Sequence, residues 1–370
     1  MSVRIEPVSN GNGLGDFLRF PRDVYRSDPH WVAPIESEVR RTLDVRKNPY
    51  FRHATLTLFV AYREGRPVGR LAVVLNELHE KKFGLRTAFF GFFEAFDDEE
   101  AIRLLFLRAE RYGMSRGARR FEGPFNPHHY SEIGLQLDAH GTPPSFFQPY
   151  NPSYYNRRLE DLGFRVSAHF MTMKNDRVRD VAQSWALASP GGERNGYSVR
   201  SLDPGDLAAE LERIREVNND AFEENWPFLP LSRDEYAFSA KHMNLVTRPD
   251  LVKIVEHHGR PVGVLHAVLD VNPLLRSWRG KAGPVKYLRF LAGRRKIRKL
   301  LIYTVAVKKA YRRGRATALL HEALRGVVRE FEVLETTWIS PDNTPVVKAA
   351  EGLGLRPDKH FAVYAKEVGR

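Results

Sequence analysis

The pentapeptide GRPVG stands twice in this chain, at Gly65–Gly69 within VAYREGRPVGRLAVV and at Gly259–Gly263 within KIVEHHGRPVGVLHAVL. Both copies lie between β-branched, apolar runs, and glycine reaches positive φ at little cost, so each reads as the turn of a β-hairpin. A second landmark recurs at nearly the same distance. YYNRRLEDLGF (Tyr154–Phe164) and VVKAAEGLGL (Val346–Leu355) both read as short amphipathic helices stopped by Leu-Gly and an apolar residue. Gly65 and Gly259 are 194 residues apart, Gly163 and Gly354 191, and two landmarks in step indicate a tandem duplication of one α/β unit. At 370 residues the chain also exceeds a single-core domain. SPGGERNG (Ser189–Gly196) reads as a linker. The expected division is a domain over 1–178, a linker over 179–196 and a domain over 197–370. Each half runs through N-terminal helices, a hairpin, a third strand, a long helix, a fourth strand, a short helix and last strands. That is an α/β (α+β) arrangement, a mixed, mostly antiparallel sheet flanked by helices.

Composition narrows the chemistry. The chain has no cysteine, which excludes disulfides, thiolate metal sites and a thiol nucleophile. The N-terminus lacks the apolar core of a signal peptide and no run approaches the length of a spanning helix, so a cytoplasmic chain, peripheral at most at the inner face of the membrane, is expected. A net charge of +13 favours polyanionic partners. Arg276–Lys299 holds ten Lys or Arg and no acid, interleaved with Trp278, Tyr287, Leu288, Phe290 and Leu291. It reads as a solvated basic insertion, or as a segment facing an anionic membrane or an acyl cofactor.

YTVAVKKAYRRGRATALLHEAL (Tyr303–Leu324) carries the strongest local signal: an apolar strand runs into a basic, glycine-containing turn that opens straight into an amphipathic helix. Amides at a helix N-terminus lack intrahelical partners and suit a phosphate. Gly314 and Ala316 keep the approach open, and Lys308, Lys309, Arg312, Arg313 and Arg315 supply charge. This stretch resembles the pyrophosphate-binding motif of the GNAT acyltransferase superfamily, Gln/Arg-x-x-Gly-x-Gly/Ala, with Tyr311, Gly314 and Ala316 at its fixed places; WISPDN follows, with Asn343 opening the short helix. The resemblance implies acyl-CoA as co-substrate, its pyrophosphate on Arg312, Arg313, Gly314, Arg315, Ala316 and Thr317 and its pantetheine along the strand at Val305 and Val307. Two departures stand out. Tyr311 replaces the usual Gln/Arg, and Ala350 stands where many GNAT acetyltransferases carry a Tyr that protonates the leaving thiolate. In the first half GFFEAFDDEEAIRLLFL places an acidic loop, Glu94–Glu100, where phosphate would sit, so that half is not expected to bind the cofactor.

Two GNAT-like halves of which one holds the acyl donor resemble the Fem-type aminoacyltransferases and the N-myristoyltransferases. YRSDPHWVAPI (Tyr25–Ile35), NPYFRHA (Asn48–Ala54), GFFEAFDD (Gly91–Asp98), GPFNP (Gly123–Pro127) and YNPSYYNRRLEDLGF (Tyr150–Phe164) resemble a bacterial family of tandem GNAT proteins similar to the bacterial ceramide synthases, which place a fatty acyl group from coenzyme A on a sphingoid-base amine. The implied function is N-acyl transfer to a small-molecule or lipid amine. The alternatives are an N-acetyltransferase of a small amine or protein, or a non-catalytic acyl-CoA or nucleic-acid binder; nucleic acid is the weaker reading.

GPFNPHHYSEIG (Gly123–Gly134) gathers Asn126, two His, Tyr130 and Glu132 in a Pro/Gly-punctuated loop. Adjacent His residues seldom share a metal, and none is expected. Acyl transfer to an amine needs a base, for which Glu132 ranks above His129, with Tyr130 beside them, and amides near Val305–Val307 to hold an oxyanion. Asn126, Tyr150, Asn151, Tyr154, Trp226 and Phe228 are the candidates for lining the acceptor site, placed in a cleft between the domains. The competing reading of each is turn, surface or core.

Overall fold

The computed structural model describes residues 2–8, 12–184, 195–225, 228–243 and 245–369. Fifteen strands run through these residues: β1 (Arg4–Pro7), β2 (Ala54–Arg63), β3 (Arg66–Asn76), β4 (Thr87–Ala95), β5 (Arg120–Gly123), β6 (Phe125–Asn126), β7 (Glu132–Ile133), β8 (Leu135–Gln136), β9 (Arg165–Asn175), β10 (Tyr197–Ser201), β11 (Val252–His257), β12 (Arg260–Leu269), β13 (Lys299–Val307), β14 (Val333–Thr336) and β15 (Arg356–Glu367). The repeated motif forms the β2–β3 and β11–β12 hairpins. Their turns are Glu64-Gly65 and His258-Gly259, all four residues at positive φ (52°, 74°, 49° and 73°), the turn whose twist matches that of paired strands. Each ladder then bulges at the same place, between Ala61 and Tyr62 in one copy and between Val255 and Glu256 in the other. The second glycine of each motif admits a helix. An added Cβ on Gly69 would meet Leu105 at 3.4 Å, and one on Gly263 would meet Leu320 at 3.2 Å. These leucines belong to the long helices Glu99–Ser115 and Arg315–Val328, so the motif repeats because it serves the turn and the helix contact together.

Two compact units are present. The first comprises Met1–Phe170, Asn272–Phe290 and Lys359–Arg370; the second, Met171–Val271 and Leu291–Asp358. Neither follows a single cut at 179–196, and residues 185–194 of the expected linker lie outside the described residues. The difference arises because the last strand of each half completes the other unit's sheet, a pairing that local sequence does not encode.

In the first unit β1, β2, β3 and β4 are antiparallel in that order, β5 is parallel to β4, and β15 is antiparallel to β5. The helix Glu99–Ser115 makes the crossover that the parallel pair requires. Its core is aromatic: Phe90 packs on Phe106, Phe121 and Phe164 at centroid distances of 5.3, 5.4 and 5.5 Å. The second unit repeats the order with β10, β11, β12 and β13 antiparallel, β14 parallel to β13, and β9 antiparallel to β14. Ile214, Val217 and Ala221 of the helix Leu207–Phe222 cover Val252, Ile254, Val264 and Ala306. Among the described residues no helix is long and apolar enough to cross a membrane.

The halves differ chiefly in two insertions. Residues 77–86 join β3 to β4, while 270–298 join β12 to β13; residues 124–153 separate β5 from the helix Tyr154–Asp161, while 337–343 separate β14 from the helix Thr344–Glu351.

Candidate functional site

In the second unit β13 and β14 run parallel only over Lys299–Ile302 and Val333–Thr336. Thr337 then ends the ladder, its amide donating to Ile302 O at 3.0 Å. A register shift between His266 and Ala267 leaves Tyr303 as the extra residue of β13, and a bulge bends its strand. Past it β13 keeps β12 on one side, and among the described residues no strand pairs with its other edge. Val305 in this stretch is 40% exposed, while Val307 is buried. A strand edge that leaves its neighbour presents backbone donors and acceptors to whatever enters the fork.

At the end of β13 a 3-10 turn, Lys309–Tyr311, leads to Gly314, which caps the helix Arg315–Val328 without a side-chain bond. Thr317 Oγ1 donates back to Arg312 O at 2.8 Å and closes the turn. Gly314 has φ −130°, open to any residue, and a Cβ there would touch only Tyr311 O at an ordinary 3.5 Å. Packing alone therefore does not require glycine here. Ala316 is buried, whereas Arg313 and Arg315 are exposed and make no ion pair among the described residues.

The other cations of the turn have partners within the chain. Lys308 pairs with Glu216, and Lys309 with Glu223 at 2.7 Å and Glu224 at 3.1 Å. Arg312 donates to Ala221 O. Acids of the helix Leu207–Phe222 and the residues just after it thus hold the turn from behind, a role that neighbours some ninety residues away in sequence do not advertise. Asn343 is exposed at the start of the helix Thr344–Glu351 and makes no capping bond; Ala350 is buried on the inner face of that helix. Beside the bulge, Tyr303 packs edge-on to His266 at 5.3 Å. Burial holds His266 down to about 4 and raises the phenols of Tyr236 and Tyr303. Phe228 is buried against Phe222 at 6.1 Å, a core position. Trp226 lies outside the described residues.

The corresponding fork of the first unit is filled by the chain itself. β4 and β5 pair only over Thr87–Phe89 and Arg120–Glu122, and β6 enters beyond them. Phe125 O lies where a Cβ on Gly91 would be, 1.7 Å away, so only glycine fits. Phe92, at φ 50°, marks the β4 bulge, and its amide donates to Asn126 Oδ1 at 2.6 Å. The helix N-terminus is filled too. Asp98 caps Glu99–Ser115 by accepting from Ala101 N at 3.0 Å and is clasped by Arg63 at 2.8 Å, while Arg158 takes Asp97 at 2.7 Å. Glu94, read from sequence as part of this acidic loop, is instead a strand residue of β4.

Around that plugged fork lie the loop residues. Asn126 Nδ2 donates to Glu132 Oε2 at 3.3 Å across the β6–β7 pair. Glu132 is reached by water, yet desolvation raises its carboxyl, opposed by Asn126 and Arg70. A carboxylate in that state is a better proton acceptor near neutrality than an ordinary surface one. Burial, then His128, hold the His129 imidazole well below its usual value, which weakens it as a base. Tyr130 packs on His129 at 4.3 Å.

A buried network that sequence reading missed supports the loop. Glu94 Oε2 accepts from the hydroxyls of Tyr25 and Tyr155, each at 2.8 Å, and Arg70 approaches Oε1 at 3.9 Å while donating to Phe17 O at 2.6 Å. Burial raises the Glu94 carboxyl to about 7 against the pull of Arg70 and the two phenols. One acid and one base among apolar residues in TAFFGFFEA and VGRLAVVL were the available signal.

The other candidate acceptor residues make hydrogen bonds within the first unit. Asn151 is buried, accepting from Gln136 N at 2.7 Å and donating to Pro152 O at 2.9 Å. Tyr150 donates to Asp28 at 2.8 Å and Tyr154 to Ala95 O at 2.7 Å. Among the described residues no group of three His, Asp or Glu side chains could hold a metal ion.

The chain thus holds two units of one topology, the first with its strand fork filled and the second with its strand fork open. A tandem GNAT protein from the clavulanic acid biosynthesis pathway superposes on 100% of this chain and 99% of its own, at TM-score 0.58 and 16% identity. No protein-family model matches the chain. In sequence it is 28% identical over 375 residues to the bacterial ceramide synthase of Caulobacter vibrioides (strain NA1000 / CB15N), covering 99% of this chain and 98% of that protein. It is also 28% identical over 369 residues to Protein YghO of Escherichia coli (strain K12), covering 97% and 94%. The chain has the tandem GNAT fold and resembles a bacterial ceramide synthase along nearly its whole length. Fold and relatives together support acyl transfer as the general class of chemistry.

Proposed function

We propose that the chain is an acyl-CoA-dependent N-acyltransferase whose second unit binds the acyl donor and whose acceptor is an amine. The observation that carries this reading is the open edge of β13 past Tyr303, leading to a turn with a glycine that packing does not require. The pyrophosphate takes the amides of Arg315, Ala316 and Thr317 with Arg313 and Arg315 beside it, and Asn343 is free to reach the donor. The pantetheine pairs with the β13 edge along Val305. In the reaction the amine nitrogen attacks the thioester carbonyl, the carbon–sulfur bond breaks, and coenzyme A leaves as the thiolate. The candidate for the base that takes the amine's proton is Glu132, to which Asn126 donates at 3.3 Å, ahead of His129, whose imidazole burial holds well below its usual value. With Ala350 buried, the thiolate leaves without a tyrosine donor from that helix.

The resemblance to a ceramide synthase supports a long-chain donor and a sphingoid-type amine as acceptor. The test is thiol release from palmitoyl-CoA with sphinganine, and from acetyl-CoA with small amines. Turnover with the first pair and not the second supports the lipid reading, the converse supports an acetyltransferase, and donor binding without turnover supports a sensor. Glu132→Gln is expected to lower turnover by ten- to a thousandfold with donor affinity kept. It should also remove the ascending limb of the pH–rate profile, which in the parent is displaced upward because burial raises the Glu132 carboxyl. Equal activity in the variant would return the loop to a structural role.

A further inference from the structure

An ordinary surface helix turns its apolar stripe to the core and its charges to water. The helix Pro284–Arg294, in the insertion between β12 and β13, does the reverse. Its one buried side chain is Phe290, packed edge-on to the buried Trp278 at 5.7 Å. Val285, Tyr287, Leu288 and Leu291 face outward, 62, 45, 66 and 40% exposed. At 100° per residue these four fall on one side of the helix with Ala292, opposite the side that carries Lys286 and flanked by Arg289. Leu288 and Val285 are the two most exposed large apolar side chains among the described residues, and Tyr287 and Leu291 extend them into one patch.

The surroundings are cationic. Among the described residues Arg279, Lys281, Arg289, Arg295, Lys296 and Arg298 are exposed and pair with no carboxylate. The other cations of the segment have structural work. Arg276 donates to Pro29 O at 3.4 Å, Lys286 to Trp278 O at 2.9 Å and Lys281 O at 3.1 Å, Arg294 to Thr247 O, and Lys299 pairs with Glu335 and Asp270. An outward apolar ridge ringed by unpaired cations, with no acid between residues 276 and 299, complements a surface that is apolar within and anionic at its rim. A nucleic-acid backbone would use the cations and leave Val285, Leu288 and Leu291 without a partner.

We propose that Pro284–Arg294 is an interfacial anchor that seats the protein on an anionic lipid bilayer, Leu288, Val285 and Leu291 entering the acyl boundary, Tyr287 at headgroup depth, and Arg289, Arg295, Lys296 and Arg298 contacting headgroups. The anchor goes beyond acyl transfer and does not depend on it, so it is tested without substrate.

The full chain is sedimented with vesicles of phosphatidylcholine alone and of equimolar phosphatidylcholine and phosphatidylglycerol. Binding to the mixed vesicles, weakening with salt and weak to phosphatidylcholine, is expected. Leu288→Glu with Val285→Glu should lower partitioning at least about tenfold, since two large apolar side chains lose their burial. Neutralising Arg295, Lys296 and Arg298 to Gln should lower it about a hundredfold, at roughly fivefold per cation. All five positions are outside the core, so circular dichroism and thermal melting should be unchanged. As a second readout, the emission of Tyr287→Trp should shift to the blue on adding mixed vesicles. No binding to mixed vesicles would overturn the proposal, as would equal loss on phosphatidylcholine and mixed vesicles. Binding that the Leu288/Val285 variant retains in full, or tight salt-sensitive binding to DNA without vesicle binding, would reduce the helix to a basic surface and overturn it too.

Discussion

Glu94 offers a quantitative test of the first unit. Its side chain is 13% exposed, and burial raises its carboxyl from 4.5 to about 7 although Arg70, Tyr25 and Tyr155 all pull it down. Below 4.5 the carboxyl is protonated in the folded and the unfolded chain alike. Between 4.5 and about 7 the unfolded chain has released the proton and the folded chain retains it, so stability falls as pH rises. Above 7 both are ionised and the whole cost of the buried charge is present. A carboxyl raised this far corresponds to about 3 kcal/mol. Glu94→Gln keeps the acceptor for the two phenols and removes the titration; Arg70 loses its counter-charge, an effect that does not vary across this range because Arg70 stays protonated. The assay is urea unfolding of the parent and the variant between pH 4.5 and 8, read as the difference in unfolding free energy. The parent's advantage over the variant should shrink by about 3 kcal/mol across the window. A flat difference, or one growing with pH, would mean that Arg70 and the tyrosines hold Glu94 as an ordinary ion-paired carboxylate, and would refute the reasoning.

Other substitutions probe the two forks. Gly314→Glu puts a like charge where pyrophosphate is proposed to sit and meets no backbone closer than Tyr311 O; donor affinity should fall at least a hundredfold with melting unchanged, and a variant that binds as tightly as the parent would remove the turn from the site. Gly91→Ala drives a methyl into Phe125 O; displacement of β6 should destabilise the first unit by about 2 kcal/mol or more, checked by urea unfolding, and an unperturbed variant would deny that Phe125–Asn126 plugs the fork.

What the sequence revealed was whatever the duplication repeats. GRPVG sets a turn, a bulge and a helix contact in both units, so the hairpins and helices could be placed by matching one half against the other, while the basic turn showed in its own strand-turn-helix pattern. What escaped was what a single half does not contain. The exchange of β9 and β15 between units depends on pairing over long sequence separations. Lys308 and Lys309 looked free for phosphate because Glu216, Glu223 and Glu224, which hold them, lie far back along the chain. Both loops of greatest interest, the Asn126–Glu132 loop and the outward-facing helix, lie in insertions that the other half lacks, where no repeat guides the reading. Residue types marked them as unusual; only the fold shows Asn126 closing the Phe92 amide and Leu288 facing outward.

The central claim, that the second unit holds an acyl-CoA donor, is tested most directly by calorimetric titration of the full chain with coenzyme A, acetyl-CoA and palmitoyl-CoA below its micelle concentration, alongside Gly314→Glu. The account predicts one site per chain, tighter binding of palmitoyl-CoA than of acetyl-CoA, and loss of all three in the variant. Absence of binding to the parent, or binding that the variant keeps, would contradict it.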